Sequence, residues 1–450
     1  MLTISNSLQS ISCSGNIRMG LSFAKESHAL FLKKYSPKCS IRIKEVCEIE
    51  KGKSITEDNT RPGVIPVVAG GKSFAYYHDT FNRDGNVITV SASGASSGYV
   101  NYWDQPIWAS DCFTVVSKNE DIFITKFIYH LLKIVQSDIY LLQKGADQPH
   151  VYSDDIGAIL IPEVSIDKQR KILSDIASIE NKIDELQAEC LDAQGIIDSV
   201  FSREFSFDYS EFETKKAKKT FAAKVGWFSN NPDLRFSAKY HREAKDYVLC
   251  QLTDLTEKKI KHFLAEPIVL GASISPEDYS DDGEYCYVSM ATIKGWYFDP
   301  AAANNVSKAY SDLKADKTVR KNDIIIARSG EGTIGKAALI TEEGIKGIFA
   351  DFTMRVRLKN YVPEFAYYYF HTNYFQYLIE VYKKGLGNNT NIFPNVIQEF
   401  PMIDIPMTEQ QRIVDEIHSE ITKQDDIKAR IAELRAQIDS IIEDAIAEGD

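Results

Sequence analysis

A Gly-Lys-Ser triplet is the first place where this chain could do chemistry. Ala69-Gly70-Gly71-Lys72-Ser73 ends like a phosphate-binding loop. Such a loop also needs an earlier glycine, and here that position is Pro66. Proline fixes φ and has no N–H to offer a phosphate, so no nucleotide site is expected. Gly330-Glu331-Gly332-Thr333-Ile334-Gly335 fits the dinucleotide pattern G-x-G-x-x-G, with Asp351 near the acidic position. That chemistry needs a helix opening at the third glycine, its N–H groups facing pyrophosphate. Lys336–Gly344 is too short for a crossover helix and reads as a strand and turn. The turn in the first half is Thr89–Gly98, and Gly94 and Gly335 lie 241 residues apart. Both read as strand endings passing into Ser/Gly turns, whose backbone N–H groups and small hydroxyls can approach phosphates closely.

No convincing catalytic pattern is otherwise read. No [DNS]-P-P-[YFW] tetrapeptide, which would hold a flipped base for amino-methylation, occurs. The seven cysteines (Cys13, Cys39, Cys47, Cys112, Cys190, Cys250, Cys286) form no C-x-x-C pair, and the eight histidines are scattered. No metal site, cofactor or disulfide framework is expected from them. The reading is a binding protein rather than an enzyme.

These turns need a scaffold, and the strongest periodic signal lies outside them. Across Ile161–Phe201, apolar or small residues recur at Ile172, Ile176, Ile179, Ile183, Leu186, Cys190, Ala193, Ile197 and Val200. The steps alternate four and three, a heptad seam of about four repeats. A helix with one narrow apolar stripe needs a partner. Residues 405–446 supply one through Ile413, Ile417, Ile421, Ile427, Ile431, Leu434, Ile438, Ile441 and Ala445. Gln169 and Ile172 stand 241 residues before Gln410 and Ile413, and each pair follows a proline. Two copies bracketing blocks of similar size imply an internal duplication.

Each block is β-rich. In the first, Val64–Val68, Val87–Val90 and Phe113–Val116 read as strands, followed by a helix over Ile124–Leu142 and a polar loop, Gln143–His150. In the second, Tyr285–Met290 and Asp323–Ala327 are strands, Pro363–Tyr382 a helix and Lys383–Asn391 a polar loop. Residues 16–23 faintly resemble residues 231–238, a third marker of the duplication.

At 450 residues the chain has room for two cored domains, and 44% hydrophobic residues describe a globular protein. No apolar run reaches the ~20 residues of a membrane span. The opening residues lack a basic start followed by an apolar core, so no secretory signal is read and reduced cytoplasm is the expected location. The formal charge of −12 argues against nucleic acid until it is mapped. Residues 161–200 and 401–450 together carry −13, leaving +1 for everything else. The acidity belongs to the two helices, so DNA could touch the blocks and would avoid the helices.

Taken together, the residues resemble a specificity subunit of a type I restriction–modification system. The carrying features are the duplicated plan, IPEVSIDKQRKILSDIASI with IPMTEQQRIVDEIHSEI, and the segments ITVSASGASSGYVN, WDQPIWASDC and DIIIARSGEGTIGK. The resemblance implies an α+β chain with two β-rich target-recognition domains and two long antiparallel coiled-coil helices, in a pseudo-twofold repeat. The expected division is residues 1–160 and 225–404 for the domains, 161–204 and 405–450 for the helices, and 205–224 for a linker. It implies that each domain reads half of a split double-stranded DNA site. Methyltransferase subunits would dock on the helices, restriction subunits would join through the complex, and the chain itself would hold no cofactor. A helix of about 30 residues is roughly 45 Å long, or about 13 base pairs of DNA. On this resemblance the expected DNA contacts are Lys72, Ser91, Ser93, Ser96 and Lys144 in the first block. In the second they are Arg328, Ser329, Lys336, Lys383, Lys384, Asn388 and Asn389. Ile172, Ile176, Ile183, Ile431, Leu434 and Ile438 would form the helix seam. The competing readings are a self-sufficient methyltransferase or nuclease with a built-in recognition region, and a coiled-coil adaptor with no DNA role.

Overall fold

The computed structural model describes residues 39–145, 148–229, 235, 237–330, 332–385 and 389–448. The chain divides into two units, Met1–Glu189 with Lys428–Asp450, and Cys190–Ile427. Most of the 16–23 and 231–238 likeness, and the expected contact Asn388, lie outside the described residues.

In the first unit β1 (Cys39–Arg42) precedes seven strands. These are β2 (Cys47–Lys51), β3 (Ile65–Val68), β4 (Phe74–His78), β5 (Val87–Ser91), β6 (Val100–Trp103), β7 (Trp108–Ala109) and β8 (Cys112–Ser117). β9 (Leu160–Pro162) returns to pair with β1. A four-stranded antiparallel sheet runs β2-β8-β5-β6, and a three-stranded sheet runs β4-β3-β7. The second unit holds β10 (Val269–Leu270), β11 (Tyr285–Val288), β12 (Asn305–Val306), β13 (Ile324–Ala327), β14 (Ala337–Leu339), β15 (Gly347–Phe349) and β16 (Thr353–Val356). Its sheets run β10-β16-β13-β14 and β12-β11-β15. Strand for strand the order is the same. The sense matches as well: β3 is antiparallel to β4 and parallel to β7, as β11 is to β12 and β15. The two units therefore share one strand topology.

β5 and β13 are central strands, buried along their whole length. Each is an almost unbroken apolar run because both of its faces are covered. Ile324 and Ile326 face the large aromatic core, while Ile325 and Ala327 face the smaller core against β11 and β15. Burying each isoleucine contributes about 2–3 kcal/mol.

The helices used below are α1 (Thr125–Ile134), α2 (Gln136–Tyr140), α3 (Ile166–Ala188), α4 (Ala193–Phe205), α5 (Tyr209–Ala217), α6 (Pro363–His371), α7 (Asn373–Tyr382) and α8 (Met407–Glu448). α1 packs on β5, β6 and β8. Where the sequence suggests one helix over Ile124–Leu142 and one over Pro363–Tyr382, each is two. The first breaks at Val135, and the second at Thr372, whose hydroxyl accepts from the Phe375 N–H at 3.3 Å.

Gln169 and Gln410 explain the repeated spacing. Gln169 is fully buried; its carbonyl oxygen accepts from the Ile124 N–H at 2.9 Å, just before α1. Its amide donates to the Val164 and Ile122 carbonyls at 2.8 Å. Gln410 accepts from the Val362 N–H, just before α6, and donates to the Ile405 carbonyl, both at 2.8 Å. One side chain thus satisfies an orphan donor at a helix start in each unit.

Three further differences from the expected helices appear. The helix expected over 161–204 breaks after Ala188 and restarts as α4. Asp192 caps α4 by accepting from the Gly195 N–H at 2.7 Å, and Gln424 takes the Leu191 N–H at 2.9 Å. The 205–224 segment is more than a linker: it holds α5 and buries Phe207 and Phe212. On α8 the stripe drifts after Ile438, burying Ile442 and Ile446 where heptads predict Ile441 and Ala445. A straight helix loses register against a strict heptad in this way. Ile446 meets Leu131, Leu132 and Ile161 around a small apolar cavity, so this end of α8 serves the domain core. The six expected seam residues, Ile172, Ile176, Ile183, Ile431, Leu434 and Ile438, are all buried.

Candidate nucleic-acid interface

In the first unit three chain segments are laced together by hydrogen bonds. The β3–β4 turn meets the β5–β6 turn where the Ser91 hydroxyl donates to the Gly71 carbonyl at 3.0 Å. A Cβ on Gly70 would come 2.7 Å from the Ser93 carbonyl, so only glycine allows this approach. The third segment, residues 143–152, closes on itself through paired Lys144–His150 backbone bonds of 2.8 Å. It joins the β5–β6 turn where the Val151 N–H donates to the Ala92 carbonyl at 3.1 Å.

The second unit repeats the lacing. Lys384 and Asn391 exchange backbone bonds of 2.8 and 2.7 Å, and the Ile392 N–H donates to the Arg328 carbonyl at 2.9 Å. Ser93 bridges to His150 as Ser329 bridges to Asn391. The Gly98 N–H donates to the Ser91 carbonyl, and the Gly335 N–H to the Ala327 carbonyl, each at 2.8 Å. The structural counterpart of Gly335 is therefore Gly98, and that of Gly94 is Gly330; the 241-residue pairing of Gly94 with Gly335 is corrected. Gly94, Gly98, Gly330 and Gly335 all have φ between +81° and +87°, which explains the glycines.

The expected contacts separate on this frame. Lys72 is exposed at the β3–β4 turn, its Nζ 5.9 Å from the Tyr99 ring. Ser91 is corrected: it is buried and its hydroxyl is spent on Gly71. Ser93 is half-buried with its hydroxyl on the Asp111 carboxylate, and Ser96 is half-exposed in the turn. Lys144 Nζ lies 3.1 Å from the Asp155 carboxylate and 4.8 Å from the Tyr152 ring. Arg328 anchors Nε on the Asp351 carbonyl at 3.0 Å and lies 5.6 Å over the Phe393 ring. Ser329 is corrected as well, because the bridge to Asn391 leaves it 7% exposed. Lys336 donates to the Lys294 carbonyl at 3.0 Å. Lys383 is half-buried beside Lys216, Gln376 and Glu380 in a polar cavity, whereas Lys384 and Asn389 are exposed.

Sequence reasoning passed over several neighbours. Lys133 Nζ sits 4.4 Å from the Tyr99 ring, and burial, with Arg435 adding repulsion, brings it down to about 8. Tyr152, Phe352 and Phe393 present large exposed rings beside the laced loops. The 241-residue offset that links Gln169 to Gln410 also links Tyr152 to Phe393 and could have found that pair. Gly94-Ala95-Ser96-Ser97-Gly98 has the spacing of a nucleophile elbow, but it joins antiparallel strands, whereas an elbow joins a strand to a helix. Among the described residues no group of three His, Cys, Asp or Glu could hold a metal, and no helix is long and apolar enough to cross a membrane.

Two units of one topology, each ending in backbone-braced loops that carry cations and exposed rings, define a two-module recognition protein. The model of the type I restriction modification DNA specificity domain matches residues 37–191 and again 254–436, and the chain belongs to that family. Specificity subunits of such systems are their non-catalytic parts. A putative type I specificity subunit of Mycoplasma genitalium is 25% identical over 169 residues, 37% of this chain and 44% of that relative, so the match spans less than half of it. The crystal structure of a type I restriction–modification S subunit from M. genitalium aligns over 90% of this chain and 94% of its own, at 17% identity and TM-score 0.41. The HsdS subunit of Thermoanaerobacter tengcongensis aligns over 90% and 95%, at 14% identity and TM-score 0.32.

Proposed function

We propose that this chain is the DNA-reading subunit of a type I restriction–modification complex. Each unit reads one half of a split double-stranded site through its laced loops. The observation that carries this is the recurrence: one topology and one bonded loop pair, built twice in a chain whose family domain is matched twice. Lys72, Ser96 and Lys144 serve the first unit, and Arg328, Lys336, Lys383, Lys384, Asn388 and Asn389 the second. Arginine and asparagine can pair bidentately with guanine and adenine edges, while lysine and serine position phosphates. α3 and α8 form the antiparallel seam through Ile172, Ile176, Ile183, Ile431, Leu434 and Ile438, with the domains at 1–160 and 225–404 on a pseudo-twofold plan. Methyltransferase subunits dock on these helices and restriction subunits join through the complex. Methyl transfer and ATP use belong to those partners in the cytoplasm, and this chain contributes no cofactor.

The test is single-molecule methylation mapping of genomic DNA from cells expressing the chain with its methyltransferase. Two short specific halves around a fixed gap are expected. A continuous motif would point instead to a fused or single-reader enzyme, and no motif at all to a coiled-coil adaptor.

A further inference from the structure

Tyr152 and Phe393 occupy the same place in the two units. Each follows directly on a laced residue, Val151 or Ile392, and each opens a short helix, Ser153–Gly157 or Pro394–Ile397. The Tyr152 carbonyl accepts from the Asp155 and Ile156 N–H groups at 3.1 and 3.3 Å, and the Phe393 carbonyl from Val396 and Ile397 at 3.0 and 3.2 Å. The backbone beneath each ring is therefore fixed. Tyr152 is nevertheless 51% exposed and Phe393 39%. A single exposed aromatic needs no explanation. The same exposed ring on the same braced backbone in both units does.

Each ring also has one cation, drawn from opposite sides of the lacing. Lys144, from the 143–152 loop, lies over Tyr152, and Arg328, from the β13–β14 turn, lies over Phe393. In the second unit Phe352 adds another ring, 47% exposed, whose carbonyl accepts from the Arg328 N–H at 2.9 Å. A stiff ring beside a cation suits a surface that offers flat apolar faces edged by negative charge. Duplex DNA offers this wherever a base step can open, the ring entering the step while the cation beside it meets a flanking phosphate, as Lys144 would, or a base edge, as Arg328 would.

We propose that Tyr152 and Phe393 are wedges that partly insert at one base step in each half-site, so that part of the specificity is read as deformability. The steps that yield most easily are pyrimidine–purine steps, and each half-site carries one at the wedge position. This inference rests on the DNA-reading function proposed above.

The chain is purified in complex with its methyltransferase and bound to a duplex carrying the mapped motif, with 2-aminopurine placed in turn at each step of both halves. Fluorescence rises at one step per half on binding. Phe393→Ala abolishes the rise in the second unit's half alone and weakens binding about tenfold; Tyr152→Ala does the same in the other half, and Tyr152→Phe retains the signal. Thermal melting of each variant complex confirms that the fold is intact. Should both alanine variants bind within twofold of the parent with both signals unchanged, the wedge is wrong while DNA reading stands. Should the parent complex show no sequence-selective binding, the reading itself fails and the wedge falls with it.

Discussion

Arg328 shows how one residue can be both anchored and available. Its Nε is fixed on the Asp351 carbonyl, which leaves the remaining guanidinium N–H groups to form a fork. Arg328→Lys keeps the charge and loses the fork. Methylation mapping is expected to show one degenerate base in the second unit's half-site, with about 1–3 kcal/mol of discrimination lost there and the first half unchanged. An unaltered motif would remove Arg328 from base reading. His371 makes a different prediction. It packs between Trp296 and Tyr367, with ring centroids at 4.3 and 4.2 Å, and burial lowers it from 6.5 to about 4 despite a backbone bond to Ala337. Between those values the unfolded state binds the proton and the folded state does not. Stability therefore falls as pH drops through this window, by about 3 kcal/mol when the loss is complete near pH 4. In urea titrations at pH 7 and pH 4.5, His371→Phe should lose about 2 kcal/mol less than the parent on acidification. Equal losses would mean that His371 carries no linkage.

At the scale of elements, the glutamine clamp and the apolar stripe do separate jobs. Gln410→Leu leaves the Val362 N–H at the start of α6 without its acceptor, and Gln169→Leu does the same to Ile124 before α1. Each should cost about 1–3 kcal/mol, seen as a lower denaturant midpoint with unchanged slope. A variant as stable as the parent would show that water replaces the clamp. Ile431 is 7% exposed on α8. Ile431→Asp places an unpaired charge there and should lower the melting temperature and the yield of methyltransferase complex together. No change in either would put the seam elsewhere. The helix breaks were hidden from periodicity because they depend on single polar atoms. Asp192 and Gln424 end one helix and start another in a stretch whose apolar spacing continues without interruption.

For the whole molecule the prediction concerns the gap between half-sites. On the proposed seam, removing one heptad from α3 and the facing heptad from α8 takes out about 10 Å, or roughly three base pairs. The mapped motif should keep both halves and shorten its gap by about that much. A gap that does not move, with both halves still read, would mean that the helices do not set the spacing.

The sequence by itself determined what periodic and repeated signals can carry. It yielded two blocks of one plan, the central strands β5 and β13 as apolar runs, the stripe through Ile172, Ile176, Ile431 and Leu434, and the Gln169–Gln410 offset. These are local patterns, or exact spacings between copies, and both survive in a string of letters. Only the tertiary structure decided which turn residues face outward. Ser91 is buried because Gly71, twenty positions earlier, takes its hydroxyl, and Ser329 is buried because it is bridged to Asn391. The same long-range lacing matched Gly98 to Gly335 and left Tyr152 and Phe393 exposed beside their cations. Bonds between segments far apart in the chain leave no periodic trace, so the surface they build is fixed only once the chain has folded.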